Sequence, residues 1–482
     1  MLKPNPATLA CAFLACAISF PAAAAPARRP NVLYVIADME RAFSMGCYGD
    51  KNAKTPTFDK FASEGLRLDA CISTTPVCCP YRASLMSGQL AHHNGMVSNG
   101  CRFEPTTKCL GQTFKEAGYE MGYVGKWHLG RAERESDPTW GFPPPNSEYG
   151  VYHFGRSPTP TTDIALRFIK EKSNGSAPWM LFVSWIWPHA PYNPPEDLLK
   201  DFENVKLAIP PNVPNGAPRE FAEKALPGYY GMIEGVDREF ARLLKALDEA
   251  GVADNTIVVF TSDHGDMIGG HGYKAKRWPY EESARVPFLM RYPNGIRAGS
   301  TLADPFGATD IYPTLAGLAG VKAPGDLDGM DFSALFTGKT QTPPRDYVYM
   351  EMPYTYVTWP GWRAFRTKEN MYARLVDRPW LLYNVAQDPW ETNNLVTSHP
   401  DEVKKDDARL AEMMKKYGDS WSVKATSGDV RAWRPGGPKQ RSQSLGVPYP
   451  GQVKEDSAPN AGGGKGKRAK RKRAAARQDS NQ

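Results

Sequence analysis

The chain has 482 residues, 41% hydrophobic and 23% charged, a globular composition long enough for one large domain and a smaller one. Its formal charge of +7 sits at the end, where eight Lys and Arg between 465 and 477 face one acid, Asp479, so the body is neutral. Past residue 30 no stretch is long and apolar enough to cross a bilayer, which excludes a helical integral membrane protein.

In chain order, residues 1–25 have the layout of a secretory signal peptide. Lys3 is followed by an apolar stretch over 7–20 and then by small residues, with cleavage expected between Ala24 and Ala27. An exported protein, periplasmic or secreted, is therefore expected. Six cysteines follow the leader: Cys47, Cys71, Cys78, Cys79, Cys101 and Cys109. In an oxidising compartment these would normally pair, and six could form three bridges, so parity leaves the pairing open.

Short apolar runs at 31–37 (NVLYVIA), 121–125 (MGYVG), 179–187 (WMLFVSWIW) and 255–261 (NTIVVFT) read as buried parallel strands. Between them lie segments of helical period, the clearest at 231–251, where Ile233, Val236, Phe240, Leu243, Leu244 and Leu247 share a face and Gly251 ends the run. This alternation predicts an α/β fold, a large mainly parallel central sheet flanked by helices, over residues 30–345. From 346 to 421 the texture changes. Runs at 347–359, 362–376 and 380–385 read as antiparallel strands and 401–417 as a charged helix, which predicts a small C-terminal α+β subdomain. Residues 422–482 read as a disordered linker and basic tail.

Open α/β sheets bind ligands at the carboxyl ends of their parallel strands. There this sequence places Asp38, then Lys126 and His128, then His189, then Asp263 and His264. A single aspartate after a strand is commonly a helix cap, and a single histidine commonly structural. Agreement at four strand ends points instead to a site. Two carboxylates suit a hard cation, Arg82, Lys126 and Lys276 suit an oxyanion, and His128 and His189 suit a base and an acid near neutral pH. Such a set fits a phosphate or sulfate monoester. A nucleophile is offered by 73–88, STTPVCCPYRASLMSG: Pro80 fits the first position of a helix, which puts Cys78 at a helix N-terminus where a thiolate is favoured.

The stretch CCPYRASLMSG resembles the Cys-x-Pro-x-Arg signature of the type I, formylglycine-dependent sulfatases of the alkaline phosphatase superfamily. Further matching stretches occur in the same order from 31 to about 395: PNVLYVIAD, GCYGDKNAKTPTFDKFASEGLRL, GYVGKWHLG, TSDHGDMIGGHG, PYEESARVPFLMRYP and DPWETNNL. The resemblance implies that Cys78 is oxidised by a formylglycine-generating maturation enzyme to 3-oxoalanine, whose hydrate attacks sulfur, with Cys79 only the variable position. It implies that His189 protonates the leaving alcohol, that His128 deprotonates the second hydroxyl, that Arg82 and Lys126 hold the formylglycine and that Lys276 contacts the sulfate. It further implies a divalent cation, calcium with magnesium or manganese as alternatives, on Asp38, Cys78, Asp263 and His264. Met39 departs from the pattern, since the family usually has a second oxygen ligand there. One ligand fewer, Glu40 reaching in, or a degraded site are the three readings.

The expected substrate is a sulfated carbohydrate, with Trp185, Trp187, Tyr192, Trp278, Tyr354, Tyr356, Trp359 and Trp362 as candidate sugar platforms. Nucleic acid is not expected as a partner of an exported enzyme, and the basic tail could contact polyanions. Two alternatives stand beside sulfate ester hydrolysis: a phosphonate or phosphate ester hydrolase of the same superfamily, and an inactive glycan-binding homologue.

Overall fold

A computed structural model describes residues 28–129, 139–152, 155–353, 361–421 and 445. The expected signal peptide and nearly all of the expected linker and basic tail lie outside the described residues, as do Tyr354, Tyr356 and Trp359. Among the described residues no helix is long and apolar enough to cross a membrane.

An eight-stranded sheet organises the large part of the chain. Its order is Ser300–Leu302, Leu66–Leu68, Phe288–Arg291, Thr256–Ser262, Asn31–Ala37, Trp179–Ser184, Glu120–Gly125 and Gly150–Val151. From Thr256–Ser262 to Gly150–Val151 every pairing is parallel, and Phe288–Arg291 runs antiparallel beside them. Asn31–Ala37 is central. Its Val32, Leu33, Val35 and Ile36 are buried on both faces. Burial of each such side chain contributes roughly 1.5–3 kcal/mol, which is why the run is continuously apolar rather than alternating. The four expected strands are present with ends shifted by at most three residues; the third stops at Ser184, before Trp185 to Trp187 turn away.

The longest helix, Ala217–Glu249, begins well before the expected residue 231 and contains Pro227. Pro227 and the glycines that follow mask its first half in the sequence, since both residue types oppose helix in isolation. Here tertiary contact explains those glycines. A Cβ on Gly228 would lie 2.0 Å from the Tyr192 carbonyl oxygen, one on Gly231 2.9 Å from Pro194 and one on Gly235 2.6 Å from Trp187. Bare backbone on this helix face lets the loop carrying His189 lie directly against it.

A four-stranded antiparallel sheet, Tyr347–Met352, Trp362–Thr367, Asn370–Leu375 and Pro379–Asn384, follows, covered by the helix Pro400–Lys416. The segment expected as one strand over 362–376 is a hairpin that turns at Thr367–Asn370. Met350, Met352, Trp362 and Ala373 of this sheet share a core with Ile72, Val77, Met267, Tyr273 and Trp278 of the large part.

Candidate active site

The carboxyl edge of the central sheet gathers the residues expected there. Asp38 follows Asn31–Ala37, Lys126 and His128 follow Glu120–Gly125, His189 follows Trp179–Ser184, and Asp263 and His264 follow Thr256–Ser262. Cys78 reaches them from the first turn of the helix Cys78–Ser87, whose ten residues are all buried. Pro80 is the third helical residue rather than the first. It is tolerated because the opening N–H groups of a helix have no intrahelical acceptor, and the first bond of this helix is Tyr81 N–H to Val77 O.

Cys78 Sγ lies 3.2 Å from His264 Nε2, 3.8 Å from Asp38 Oδ1 and 2.9 Å from the Lys276 ammonium. Burial alone would raise the thiol's pKa. The charges of Lys126, Lys276 and His264, with a hydrogen bond from His128, outweigh it and hold the thiol well below its ordinary value. Cys79 is the opposite case, pushed up to about 12 by burial and by its neighbour Cys78. Its backbone N–H donates to Asn99 Oδ1 at 3.0 Å, and its side chain belongs to the hydrophobic core. Two adjacent thiols thus have opposite chemistry.

Each aspartate divides its carboxylate. Asp38 Oδ2 accepts from the Lys126 ammonium, and Asp263 Oδ2 accepts from Arg82 Nε and Nη2 at 3.1 and 3.0 Å. The other oxygens, Asp38 Oδ1 and Asp263 Oδ1, lie 3.7 and 3.4 Å from His264 Nε2. His264 Nδ1 is 2.9 Å from the Gly265 carbonyl, to which it donates, so Nε2 is the nitrogen that faces the carboxylates. Asp38, Cys78, Asp263 and His264 offer ligand atoms that all lie within 4.8 Å of one another, and all four are buried. Two carboxylate oxygens and an imidazole with its far nitrogen engaged form a donor set that fits a divalent cation.

Burial and Cys78 oppose ionisation of Asp38, but Lys126, His189 and Lys276 prevail and lower its pKa. Arg82 also donates to the Lys126 carbonyl at 2.9 Å and Ser184 Oγ at 2.7 Å. Its bonds therefore fix Asp263 and the Lys126 backbone, while Lys276 is the cation that touches position 78. His189 donates Nδ1–H to the Ala190 carbonyl at 2.7 Å, which leaves Nε2 as its working nitrogen. The guanidinium of Arg156 braces the same loop through the His189 and Pro191 carbonyls, at 2.8 and 3.1 Å.

Met39 is buried with φ +71, its N–H donating to Asp263 Oδ1 at 3.3 Å and its carbonyl accepting from Tyr229 at 2.8 Å. Glu40 does not replace the missing oxygen. Its N–H donates to Ser262 Oγ, and its carboxylate is buried near Asp237 with no hydrogen-bond partner. Burial, then Asp237, raises its pKa well above the ordinary range. Among the residues the sequence did not single out, Ser184 and Tyr229 matter most. Ser184 carries a signal, as the lone polar residue closing an apolar strand; Tyr229, mid-helix, carries none.

The expected sugar platforms divide. Trp185, Trp187, Trp278 and Trp362 are buried, Trp278 stacking on Tyr273 at 3.9 Å, so they pack the fold and offer no face to a ligand. Tyr192 is half-buried and donates to Asp266. Cys47, Cys71, Cys78, Cys79 and Cys109 carry unbridged thiols.

The family model for Sulfatase matches residues 30–321, and one described as N-sulphoglucosamine sulphohydrolase, C-terminal, matches 269–418. An ulvan-active sulfatase of Formosa agariphila is 32% identical over 82% of this chain and 82% of its own. An N-acetylglucosamine-6-O-sulfatase of Bacteroides thetaiotaomicron is 27% identical over 82% of this chain and 88% of its own. The solved structure of BT4656 with its substrate D-glucosamine-2-N,6-O-disulfate superposes with a TM-score of 0.70 at 25% identity, covering 82% of this chain and 99% of that one. The chain belongs to the sulfatase family of the alkaline phosphatase-like superfamily and is a hydrolase of sulfate esters.

Proposed function

We propose that this sulfatase removes sulfate from a sulfated carbohydrate, through a formylglycine made from Cys78 and a calcium ion on Asp38, Cys78, Asp263 and His264. The observation that carries the mechanism is the contrast between the neighbouring thiols: Cys78 stands among Lys126, Lys276, His128 and His264, whereas Cys79 is buried in the core. The carbohydrate is supported by the ulvan-active and N-acetylglucosamine-6-O-sulfatase relatives.

Matured and hydrated, position 78 would supply one oxygen to attack sulfur and a second hydroxyl whose deprotonation releases sulfate and restores the aldehyde. Calcium bound by the four donors would draw charge from the sulfate oxygens and from that nucleophile. The sulfur of Cys78 marks where those oxygens would stand. Lys276, in direct contact with that position, and Lys126, beside it, counter the charge that builds on the sulfate. His189 Nε2 gives its proton to the departing alcohol oxygen, its ring fixed by the Nδ1 bond to Ala190. His128, hydrogen-bonded to position 78, takes the proton of the second hydroxyl. Arg82 positions Asp263 and the Lys126 backbone.

Export is part of the same proposal, supported by the leader-like residues 1–25 and by a substrate class found outside cells; maturation then needs a formylglycine-generating enzyme in the host. The basic residues 465–477 suit an electrostatic contact with the polyanionic substrate. Matched aryl sulfate, phosphate monoester and phosphonate monoester substrates, assayed with a panel of sulfated oligosaccharides, test the reading. We expect kcat/KM for sulfate to exceed that for phosphonate and a sulfated sugar to outperform the aryl ester. Preferential phosphonate turnover would overturn the assignment.

A further inference from the structure

A second cluster of cation-binding groups lies apart from Cys78, built from His271, Glu282 and Glu391, whose ligand atoms also fall within 4.8 Å of one another. Glu282 follows Glu281 at the start of the short helix Glu281–Ala284, His271 lies in the loop that goes on to carry Lys276, and Glu391 belongs to the turn after the small sheet. Glu282 is wholly buried and Glu391 is 1% exposed, yet Glu282 Oε2 and Glu391 Oε1 have no hydrogen-bond partner. Glu391 Oε2 accepts the Glu281 N–H at 2.8 Å. The guanidinium of Arg366 is engaged with Glu281, and among the described residues Arg366 and Arg41 act on Glu391 and Glu282 only through their charge, with no hydrogen bond or ion pair. Buried carboxylates left this way are costly unless something positive sits between them.

Asn212 gives an independent sign. Its single NH2 group faces three acceptors, His271 Nε2 at 3.1 Å, the Trp390 carbonyl at 2.9 Å and Glu282 Oε1, while its own Oδ1 is buried without a partner. Two amide hydrogens cannot serve three acceptors. At least one of the three acceptors is therefore left open to a cation. A surface cavity of about 440 Å³ bordered by Pro211, Asn212, His271, Tyr280 and Thr392 opens beside the cluster at His271.

We propose that His271, Glu282 and Glu391 form a second divalent-cation site, selective for a zinc-like ion over calcium. One imidazole with two carboxylates suits zinc, whereas calcium takes six or more oxygens. The bound ion would tie three segments together: the loop that carries His271 and Lys276, the short helix Glu281–Ala284 and the turn at Glu391. The site is structural, and no step of ester hydrolysis passes through it.

Elemental analysis tests it on the full-length protein. Wild type, His271→Gln and Glu282→Gln are dialysed against micromolar zinc in saturating calcium. Wild type is expected to retain about one zinc equivalent more than either variant, with the variants' affinity at this site at least tenfold lower. A zinc-dependent rise in Tm is expected in wild type and not in the variants. Because either variant could fail to fold, wild-type crystals grown in the same zinc are measured at the zinc absorption edge, where an anomalous peak beside His271 Nε2 is expected. Equal zinc content in all three proteins, filling by calcium alone, or no peak beside His271 would overturn the proposal. The last result would leave Glu282 and Glu391 as a pair of carboxyl groups satisfied by protons.

Discussion

At the scale of single residues, chemistry is decided by which way a side chain leaves the first turn of one helix. Cys78 and Cys79 differ by one position, but only Cys78 meets the strand-end cations. Met39 is the other informative residue. Its φ of +71 lies in the left-handed region, which Asp and Asn tolerate better than a long side chain, and its neighbours Asp38 and Asp263 already hold two carboxylates. Met39→Asp should therefore relieve backbone strain and add the oxygen donor that the family pattern has there. Without a cation, however, a third carboxylate would be repelled. We expect the variant's Tm to rise with calcium and fall with a chelator by a wider margin than in wild type. Equal calcium shifts in the two proteins would show that position 39 does not reach the cation.

At the scale of elements, the strand ends were legible because a buried parallel strand is written as a continuous apolar run, and a polar residue that closes it stands out. The first half of the helix Ala217–Glu249 was not legible, because Gly228, Gly231 and Gly235 serve a contact with the His189 loop that local propensity cannot encode. Nor could tryptophans near motifs be told apart from ligand platforms, since an aromatic core and an aromatic groove share one composition. The same blindness hid the pair that ties the small sheet to the nucleophile's neighbourhood. His92, from the short helix after Cys78–Ser87, engages the buried Glu351 of Tyr347–Met352 at 2.7 Å and the Tyr417 carbonyl at 2.9 Å. Burial works against protonation of His92, but Glu351 prevails and raises its pKa from 6.5 to about 9. Because the folded value is the higher one, the pair stabilises fully below pH 6.5 and loses its contribution as pH rises through about 9. Near neutrality this amounts to roughly 2 kcal/mol. Urea unfolding of wild type and His92→Gln should differ by that amount at pH 7 and converge by pH 10. A difference that does not change with pH would refute the ionic account.

At the scale of the whole molecule, the small antiparallel sheet is not an appendage. Its Met350, Met352 and Trp362 pack with Met267, Tyr273 and Trp278, residues that flank Lys276, and the Trp362 indole donates to the Arg277 carbonyl at 3.0 Å. The expected boundary near 345 follows a change in sequence texture, while the core continues across it. Calorimetry should accordingly record one cooperative unfolding transition, and a chain ended at 345 should lack activity altogether. Two separable transitions would show instead that the two sheets are stable independently.

The chemical state of residue 78 decides the mechanism most directly. Peptide mass spectrometry of protein purified from its native host should find an aldehyde-bearing residue at position 78 and an unmodified thiol at Cys79. An intact thiol at Cys78 in active enzyme, or a disulfide through it, would contradict the formylglycine mechanism.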